Sequence, residues 1–340
     1  MHFTCVALGA APIKEIAWPS PMTAHNKQQL LSLVIPVYNE EDVIPALLPQ
    51  LVQALQEVDI EHEIIVVDDG STDGTWQLLC DAAHSRSDIS LLRLSRNFGK
   101  EAAIMAGLRE CAGDAAIVLD ADLQHPPRML VEMTEQWLQG DVDIIHAVKS
   151  DDHNAPTMDR VTSHWFGRLF RRMTGYEIRG ATDYKLLDRR VIDVLNELQD
   201  YNLFFRGTTL WLGFRHRNIY FELGNRRGGQ SKWTPMSRLR LGITAITSFT
   251  ALPLHLMTVV GLISFLFAIV MGVHTLYNKI SGVAVEGFTT VILLLLIFGS
   301  LITLSLGVIG AYLSKIHDEV RDRPRYLIAE EVLRDRGQAD

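Results

Sequence analysis

Apolar and polar positions along the first half of the chain fall into blocks that switch between strand and helix periodicity. Leu31–Val37 is apolar almost throughout and reads as a buried strand. Glu41–Gln56 follows, with Val43, Leu47, Leu51 and Leu55 at four-residue spacing, the stripe of an amphipathic helix. Glu63–Val67 is a second strand that ends in Asp68-Asp69-Gly70-Ser71, and Gly74–Ala83 a second helix with Thr72 or Asp73 as its cap. Ile89–Leu94, Lys100–Cys111 and Ala115–Leu119 continue as strand, helix, strand. Pro127 suits the first turn of a helix running to about Leu138, and Asp143–Val148 is a fifth strand. Strands that are apolar on both faces, alternating with helices, predict an α/β domain with a mostly parallel sheet covered on both sides. Residues 151–235 are more irregular and more basic.

The pattern then changes. No Asp, Glu, Lys or Arg occurs between Arg240 and Lys279, nor between Glu286 and Lys315. Each gap holds an apolar run long enough to cross ~30 Å of hydrocarbon at ~1.5 Å per residue. Ile263–Met271, apart from Ser264, and Leu293–Phe298 leave no polar face for water, so buried core helices are the weaker alternative. Transmembrane helices are expected at 252–277 and 288–313. Residues 236–250, with Met236, Leu239, Ile243 and Ile246 against Arg238 and Arg240, read as an amphipathic helix on the membrane surface or as a simple lead-in to the first span. The expected organisation is an extension (1–28), an α/β domain (29–235), the surface helix, two spans joined by a loop (278–287), and a tail (314–340). Phe3–Ala11 is only mildly apolar, so residues 1–28 are not expected to be a signal peptide, and Met22 is an alternative start.

Composition sharpens this division. Hydrophobic residues make up 48% and mean hydropathy is +0.12, high for a soluble enzyme of 340 residues. A net charge of −8 argues against a nucleic-acid partner. Basic residues cluster beside the apolar runs, at Arg226, Arg227, Lys232, Arg238 and Arg240 before the first, and at Lys315, Arg321, Arg323 and Arg325 after the second. By the positive-inside rule the α/β domain and both termini are expected in the cytoplasm, with the loop outside an inner (cytoplasmic) membrane. Cys5, Cys80 and Cys111 have no metal-ligand spacing and are expected to be reduced and structural.

The candidate chemistry sits at strand ends. Pro36-Val37-Tyr38-Asn39-Glu40-Glu41, Asp68-Asp69-Gly70-Ser71-Thr72-Asp73-Gly74 and Asp120-Ala121-Asp122 each follow a strand. In a parallel sheet all three reach the carboxyl edge, where open α/β sheets bind their ligands. Two carboxylates one residue apart, Asp120 and Asp122, with the Gln124 amide nearby, are hard oxygen ligands that suit Mg²⁺ or Mn²⁺ bridging to a diphosphate; a solvated turn is the bland alternative. Asp68 and Asp69 can accept hydrogen bonds from a base or ribose, or Asp69 can cap the next helix. Arg96-Asn97-Phe98-Gly99-Lys100 opens a helix whose amides and Lys100 can meet an anion. No Gly-x-Gly-x-x-Gly and no Gly-Lys-Ser/Thr loop is present, which disfavours dinucleotide oxidoreductases and P-loop NTPases.

Val34–Glu41, Val67–Gly74, Arg96–Glu101 and Asp120–Gln124 resemble the nucleotide-sugar-binding half of family 2 glycosyltransferases, which have a GT-A fold. Asp183–Arg189, Asn202–Gly207, Arg226–Lys232, Gly310–Leu313 and Val320–Tyr326 resemble the branch that acts on polyprenyl phosphates, which includes dolichol-phosphate mannosyltransferases and bactoprenol glucosyltransferases. The resemblance covers about residues 30–328. It implies nucleotide-sugar binding by Pro36, Tyr38, Asn39, Glu40, Asp68, Asp69, Asn97, Lys100, Asp120 and Ala121. It implies a metal at Asp120, Asp122 and Gln124, catalytic roles for Asp122 and Asp183, and lipid-phosphate binding by Arg206, Arg227, Ser231 and Lys232. Asp183 has pairing with an arginine such as Arg179 as its bland alternative, and the cations have general attraction to anionic headgroups. Two positions depart from the branch: His125 stands where Asp or Asn is usual, and Lys185 where Arg is usual.

The implied reaction is single-displacement, inverting transfer from a UDP-sugar to undecaprenyl phosphate, assisted by Mg²⁺ or Mn²⁺. Glucose is the first expectation for the sugar, ahead of GlcNAc, galactose, mannose and aminoarabinose. The product would serve cell-envelope glycans, with a flippase and a downstream glycosyltransferase as partners. Gly261, Gly272, Gly299, Gly307 and Gly310 would allow close helix contacts in a homo-oligomer. Rival readings are a processive polysaccharide synthase, disfavoured because Gln230-Ser231-Lys232-Trp233 is no Gln-x-x-Arg-Trp motif, and a membrane-tethered nucleotide-sugar-binding scaffold.

Overall fold

The computed structural model describes residues 29–58, 60–122, 126, 128–149, 171, 180–198, 203–221, 252–282, 287–321 and 323–334. The expected alternation is present as β1 (Leu30–Val37), α1 (Ile44–Gln56), β2 (Glu61–Asp68), α2 (Thr75–His84), β3 (Ile89–Leu94), α3 (Lys100–Glu110), β4 (Ala115–Val118), α4 (Arg128–Leu138) and β5 (Ile144–Lys149). Helix α1 begins later than its apolar stripe suggests, because Pro45 fits a first helical turn and residues 41–43 form the turn leading into it. The N-cap position of α2 is Gly74, not Thr72 or Asp73; Asp73, one residue earlier, accepts a hydrogen bond from the Thr75 N–H at 3.1 Å.

Strands β1 to β4 form a parallel core, with β1 between β2 and β4 and β3 beyond β2. Alternation along β1 assigns the two faces. Leu31, Leu33, Ile35 and Val37 pack with Leu47, Leu51, Leu79 and Met133 under α1, α2 and α4. Val34, with Ile65 and Val67 of β2, packs with Ala103, Ile104 and Leu108 of α3 on the other face. A Cβ on Gly107 would lie 2.3 Å from Val34 Cγ1, so this glycine is what lets α3 sit so close to the sheet.

The span that the sequence left irregular contributes β6 (Ala181–Asp188), α5 (Arg189–Glu197), α6 (Phe205–Trp211) and β7 (His216–Phe221). Strand β6 inserts between β4 and β5 and runs antiparallel to both. Its first half therefore lies at the carboxyl edge of β4, with Val118 opposite Lys185 and Ala115 opposite Asp188. The sheet order is β7-β5-β6-β4-β1-β2-β3-β8, where β8 is Ile328–Val332, mixed but mostly parallel.

Helices α7 (Leu252–Ile280) and α8 (Phe288–Val320) are 29 and 33 residues long. Their apolar stretches, Pro253–Asn278 and Leu294–Val320, have mean hydropathies of 2.6 and 2.3 and are not buried by the rest of the protein. Both are long and apolar enough to cross a membrane. Helix α8 runs past the apolar residues into Lys315, His317, Asp318 and Glu319. The chain then returns to the sheet: β8 (Ile328–Val332) pairs antiparallel with β3 at the edge, where Glu330 accepts from Arg93 at 2.7 Å. The expected surface helix at 236–250 and the extension at 1–28 lie outside the described residues. Cys80 and Cys111 are free thiols, Cys111 buried.

Candidate active site

The carboxyl ends of β1, β2 and β4 open on one cavity of about 430 Å³. Eight of the residues expected at the nucleotide line it: Pro36, Tyr38, Glu40, Asp69, Asn97, Lys100, Asp120 and Ala121; Asp122 joins them, together with Val37 and Gly99. Asn39 and Asp68, expected there as well, do not line it: Asn39 joins the loop after β1 to the loop after β2, and Asp68 holds the turn that follows β2. Asn39, at φ 51°, donates its N–H to Ser71 Oγ at 2.9 Å and accepts from the Thr72 N–H at 2.9 Å. Asp68 is fully buried at the end of β2, where one carboxylate oxygen accepts from the Ser71 N–H at 2.9 Å. Burial raises the Asp68 carboxyl above its usual range.

Asp69 ties the second loop to the third. Its two oxygens accept from the Phe98 and Gly99 N–H groups at 2.8 and 2.9 Å, just before α3 begins. The loops meet closely because residue 70 is glycine: at φ +70° its missing Cβ would sit 2.5 Å from the Arg96 carbonyl carbon. This bracing fixes Lys100, the first residue of α3, at the cavity wall.

A chain of ion pairs runs from the cavity into the domain. Lys100 Nζ contacts Asp120 Oδ1 and lies 2.5 Å from Asp183 Oδ2. Arg206 of α6 grips the same Asp183 with both arms of its fork, Nε to Oδ1 at 2.6 Å and Nη2 to Oδ2 at 2.8 Å. Asp183 is buried, and Arg206 and Lys100 hold its carboxyl well below the usual range against the opposing effect of burial. Arg206, expected at a lipid phosphate, is thus engaged with Asp183, and the described partners of Asp183 are Arg206 and Lys100; Arg179 lies outside the described residues.

Two further groups sit behind this chain. Glu101 accepts from the Phe205 N–H at 3.0 Å at the start of α6, and burial with the neighbouring Asp183 pushes its carboxyl up to about 7. Lys185 is fully buried, donates to Thr209 Oγ1 at 2.5 Å and lies 5.3 Å from the centre of the Phe205 ring. Burial pulls its ammonium down to about 7. The Lys at this departure from the branch pattern is therefore a core residue, away from any surface phosphate.

The family model described as "Glycosyl transferase family 2" matches residues 32–194. An uncharacterized glycosyltransferase of Synechocystis is 36% identical over 88% of this chain and 95% of its own length. The SfII prophage-derived bactoprenol glucosyl transferase of Shigella flexneri is 34% identical over 88% of this chain and 97% of its own. The chain belongs to glycosyltransferase family 2. Among solved structures, the glucosyl-3-phosphoglycerate synthase of Mycobacterium tuberculosis matches with a TM-score of 0.46 and 18% identity, over 64% of this chain and 76% of that one.

In this glycosyltransferase, Asp120 and Asp122 are the described side chains that fit a divalent cation; Gln124 lies outside the described residues. No group of three or more His, Cys, Asp or Glu forms a cage among the described residues. Two carboxylates at a cavity rim still fit, because Mg²⁺ is usually held by one or two carboxylates plus substrate phosphates and water. Arg227, Ser231 and Lys232 also lie outside the described residues. Sequence reasoning gave no role to Glu101 and did not pair Lys100 with Asp183. The first had a weak signal, an acid beside Lys100 at a helix start; the second spans 83 residues and had none.

Proposed function

We propose that this glycosyltransferase transfers glucose from UDP-glucose to undecaprenyl phosphate with inversion, assisted by Mg²⁺ or Mn²⁺, to give a lipid-linked donor for cell-envelope glycans. The observation that carries the proposal is the joining of one carboxylate-rimmed cavity to two span-length helices within one chain. A relative of near-equal length bears the name bactoprenol glucosyl transferase, which supports both the sugar and the lipid. The pairing of β8 with β3 favours an arrangement in which the end of α8 lies on the same side as the catalytic domain. This supports a membrane hairpin of α7 and α8, with the loop between them on the far side.

The residues divide the work. Tyr38, 38% exposed at the cavity, offers a flat face to the uracil base. The Asn97 and Gly99 region and Lys100 meet the diphosphate at the start of α3. Asp120 and Asp122 would hold a divalent cation, which would offset the charge developing on the departing UDP. A phosphate oxygen of the acceptor attacks the anomeric carbon as the bond to UDP breaks, so a new carbon–oxygen bond forms on the opposite face.

The acceptor phosphate has a second pKa of ~6 and is largely dianionic at neutral pH, so it needs no strong base. Asp183 would be a poor one, since its carboxyl is held far below neutrality. Its role is to orient: it sets Arg206 and Lys100 at one point where two anions, diphosphate and acceptor phosphate, must meet. Arg227, Ser231 and Lys232 complete the acceptor side. The polyprenyl chain stays in the bilayer, where a groove of about 1000 Å³ beside Leu295, Gly299, Thr303 and Gly307 of α8 offers it an apolar bed.

The test is transfer of radiolabelled sugar from a panel of UDP- and GDP-sugars to undecaprenyl phosphate in detergent, with and without Mn²⁺ or Mg²⁺. One labelled lipid, formed from UDP-glucose and lost with EDTA and with Asp122→Ala, is expected. Absence of transfer from every donor would remove the proposal.

A further inference from the structure

The ion-pair chain contains one contact that the transfer reaction does not explain. Lys100 Nζ lies against Asp120 Oδ1, an oxygen of one of the two carboxylates that would hold a divalent cation. Asp183 does not require Lys100 for neutralisation, because Arg206 already holds both of its oxygens at 2.6 and 2.8 Å. Lys100 therefore bridges from a carboxylate that has a cation of its own to one at the cavity rim, whose side chain is 24% exposed.

We propose that Lys100 is a resident counter-cation for Asp120, which yields its place to a divalent cation only when a nucleotide diphosphate gives the ammonium another partner. The inference rests on Asp120 being a cation ligand, as proposed above. Charge supports it. Lys100 and Arg206 face Asp120 and Asp183 in the cluster. A dication beside Asp120 would set two positive charges next to that ammonium, which repel it. A diphosphate arriving with the dication brings negative charge to the start of α3, within reach of the same lysine.

Geometry makes the exchange local. Lys100 is the first residue of α3, and its backbone is fixed by the loop that Asp69 holds. Its four-carbon stem carries a point charge that can swing between neighbouring anions without moving the helix. Arg206, locked in a two-armed grip, cannot make the same move. Lys100 thus makes cation and nucleotide binding cooperative, and by linkage each must strengthen the other by the same factor.

The experiment is Mn²⁺ binding to the full-length protein in detergent, followed by the electron paramagnetic resonance of free Mn²⁺, with and without saturating UDP. Wild type is expected to bind Mn²⁺ alone weakly and at least about ten-fold more tightly with UDP, a coupling of ordinary allosteric size. Lys100→Met should bind Mn²⁺ alone several-fold more tightly than wild type and respond less to UDP. Lys100→Gln, which keeps a hydrogen-bond donor between the carboxylates, serves the same purpose where the Met variant does not fold. Lys100→Arg, which keeps the charge, should bind Mn²⁺ alone as weakly as wild type. A neutral variant that binds Mn²⁺ alone no better than wild type would overturn the proposal while leaving the cation site intact. Wild type that binds no Mn²⁺ even with UDP would remove the cation site and this proposal together.

Discussion

The two ends of strand β6 carry two clusters built from the same residue types and put to different use. At its first half, Asp183 is gripped by Arg206 and Lys100 and opens through Lys100 and Asp120 onto the cavity. At its last residue, Asp188 accepts from the Arg190 Nε and from the Trp137 Nε1 at 3.0 Å. Beside it Asp143 accepts from the Arg215 backbone N–H and side chain and pairs with Arg190. Arg190 and Arg215 hold Asp143 below the usual carboxylate range. In the second cluster the carboxylates are matched by fixed arginines and a tryptophan, and the geometry is closed. In the first, a flexible lysine spans two carboxylates at a cavity wall. A buried ion pair alone therefore does not mark a site. An ion pair with one mobile member facing open volume does.

Variants should separate the two ends. The largest effect is expected from Asp120→Ala, which takes the rim carboxylate from the cavity: transfer should fall by about a thousand-fold, as for loss of a main electrostatic contact in a transition state. Its melting temperature should stay near that of wild type, because the side chain is partly exposed. Asp143→Asn should do the reverse. Weakening the buried hydrogen bonds to Arg190 and Arg215 should cost about 1–3 kcal/mol of stability, seen by denaturant or thermal unfolding in detergent. The rate per folded molecule should be unchanged. Arg206→Lys replaces the two-armed grip with a point charge and should slow transfer by about ten- to a hundred-fold through misplacement, with little loss of stability.

The smallest effect concerns Lys185, and its size depends on pH. The ammonium is pulled down to about 7 in the folded protein from 10.5. Between these values the unfolded chain binds more protons, so wild-type stability should rise with pH across that window. Lys185→Met should be more stable than wild type by about 1–2 kcal/mol near pH 7, as when a buried charge is replaced by an apolar side chain. That advantage should shrink toward pH 10. Melting curves at pH 7 and pH 9.5 check both statements.

The sequence revealed the first half of the domain because β1, β2, β3 and β4 are apolar on both faces and each ends in a polar motif. Placing those motifs at one edge followed from parallel pairing alone. Strand β6 was hidden for a physical reason. Asp183 and Lys185 point to one buried face, so its pattern is that of a polar loop until Arg206 and Thr209 are brought against it. Strand β8 was hidden for the opposite reason: its residues are all exposed and it has no apolar face. The contact between Lys100 and Asp183 needed β6 to run antiparallel to β4, and nothing local in either segment specifies that. Asn39 and Asp68 belong to the motifs at that edge, yet Asn39 joins two loops and Asp68 holds the turn after β2, a distinction that only hydrogen-bond geometry can make.

The most direct test of the contrast between the two ends is the rate of Asp183→Asn, per folded molecule, in glucose transfer from UDP-glucose to undecaprenyl phosphate. The substitution keeps the shape of the side chain and removes the charge that sets Arg206 and Lys100. The rate should fall by about a hundred-fold or more, with the folded fraction measured in the same samples. Full turnover by Asp183→Asn would contradict the account and would make this cluster as purely structural as the one around Asp143.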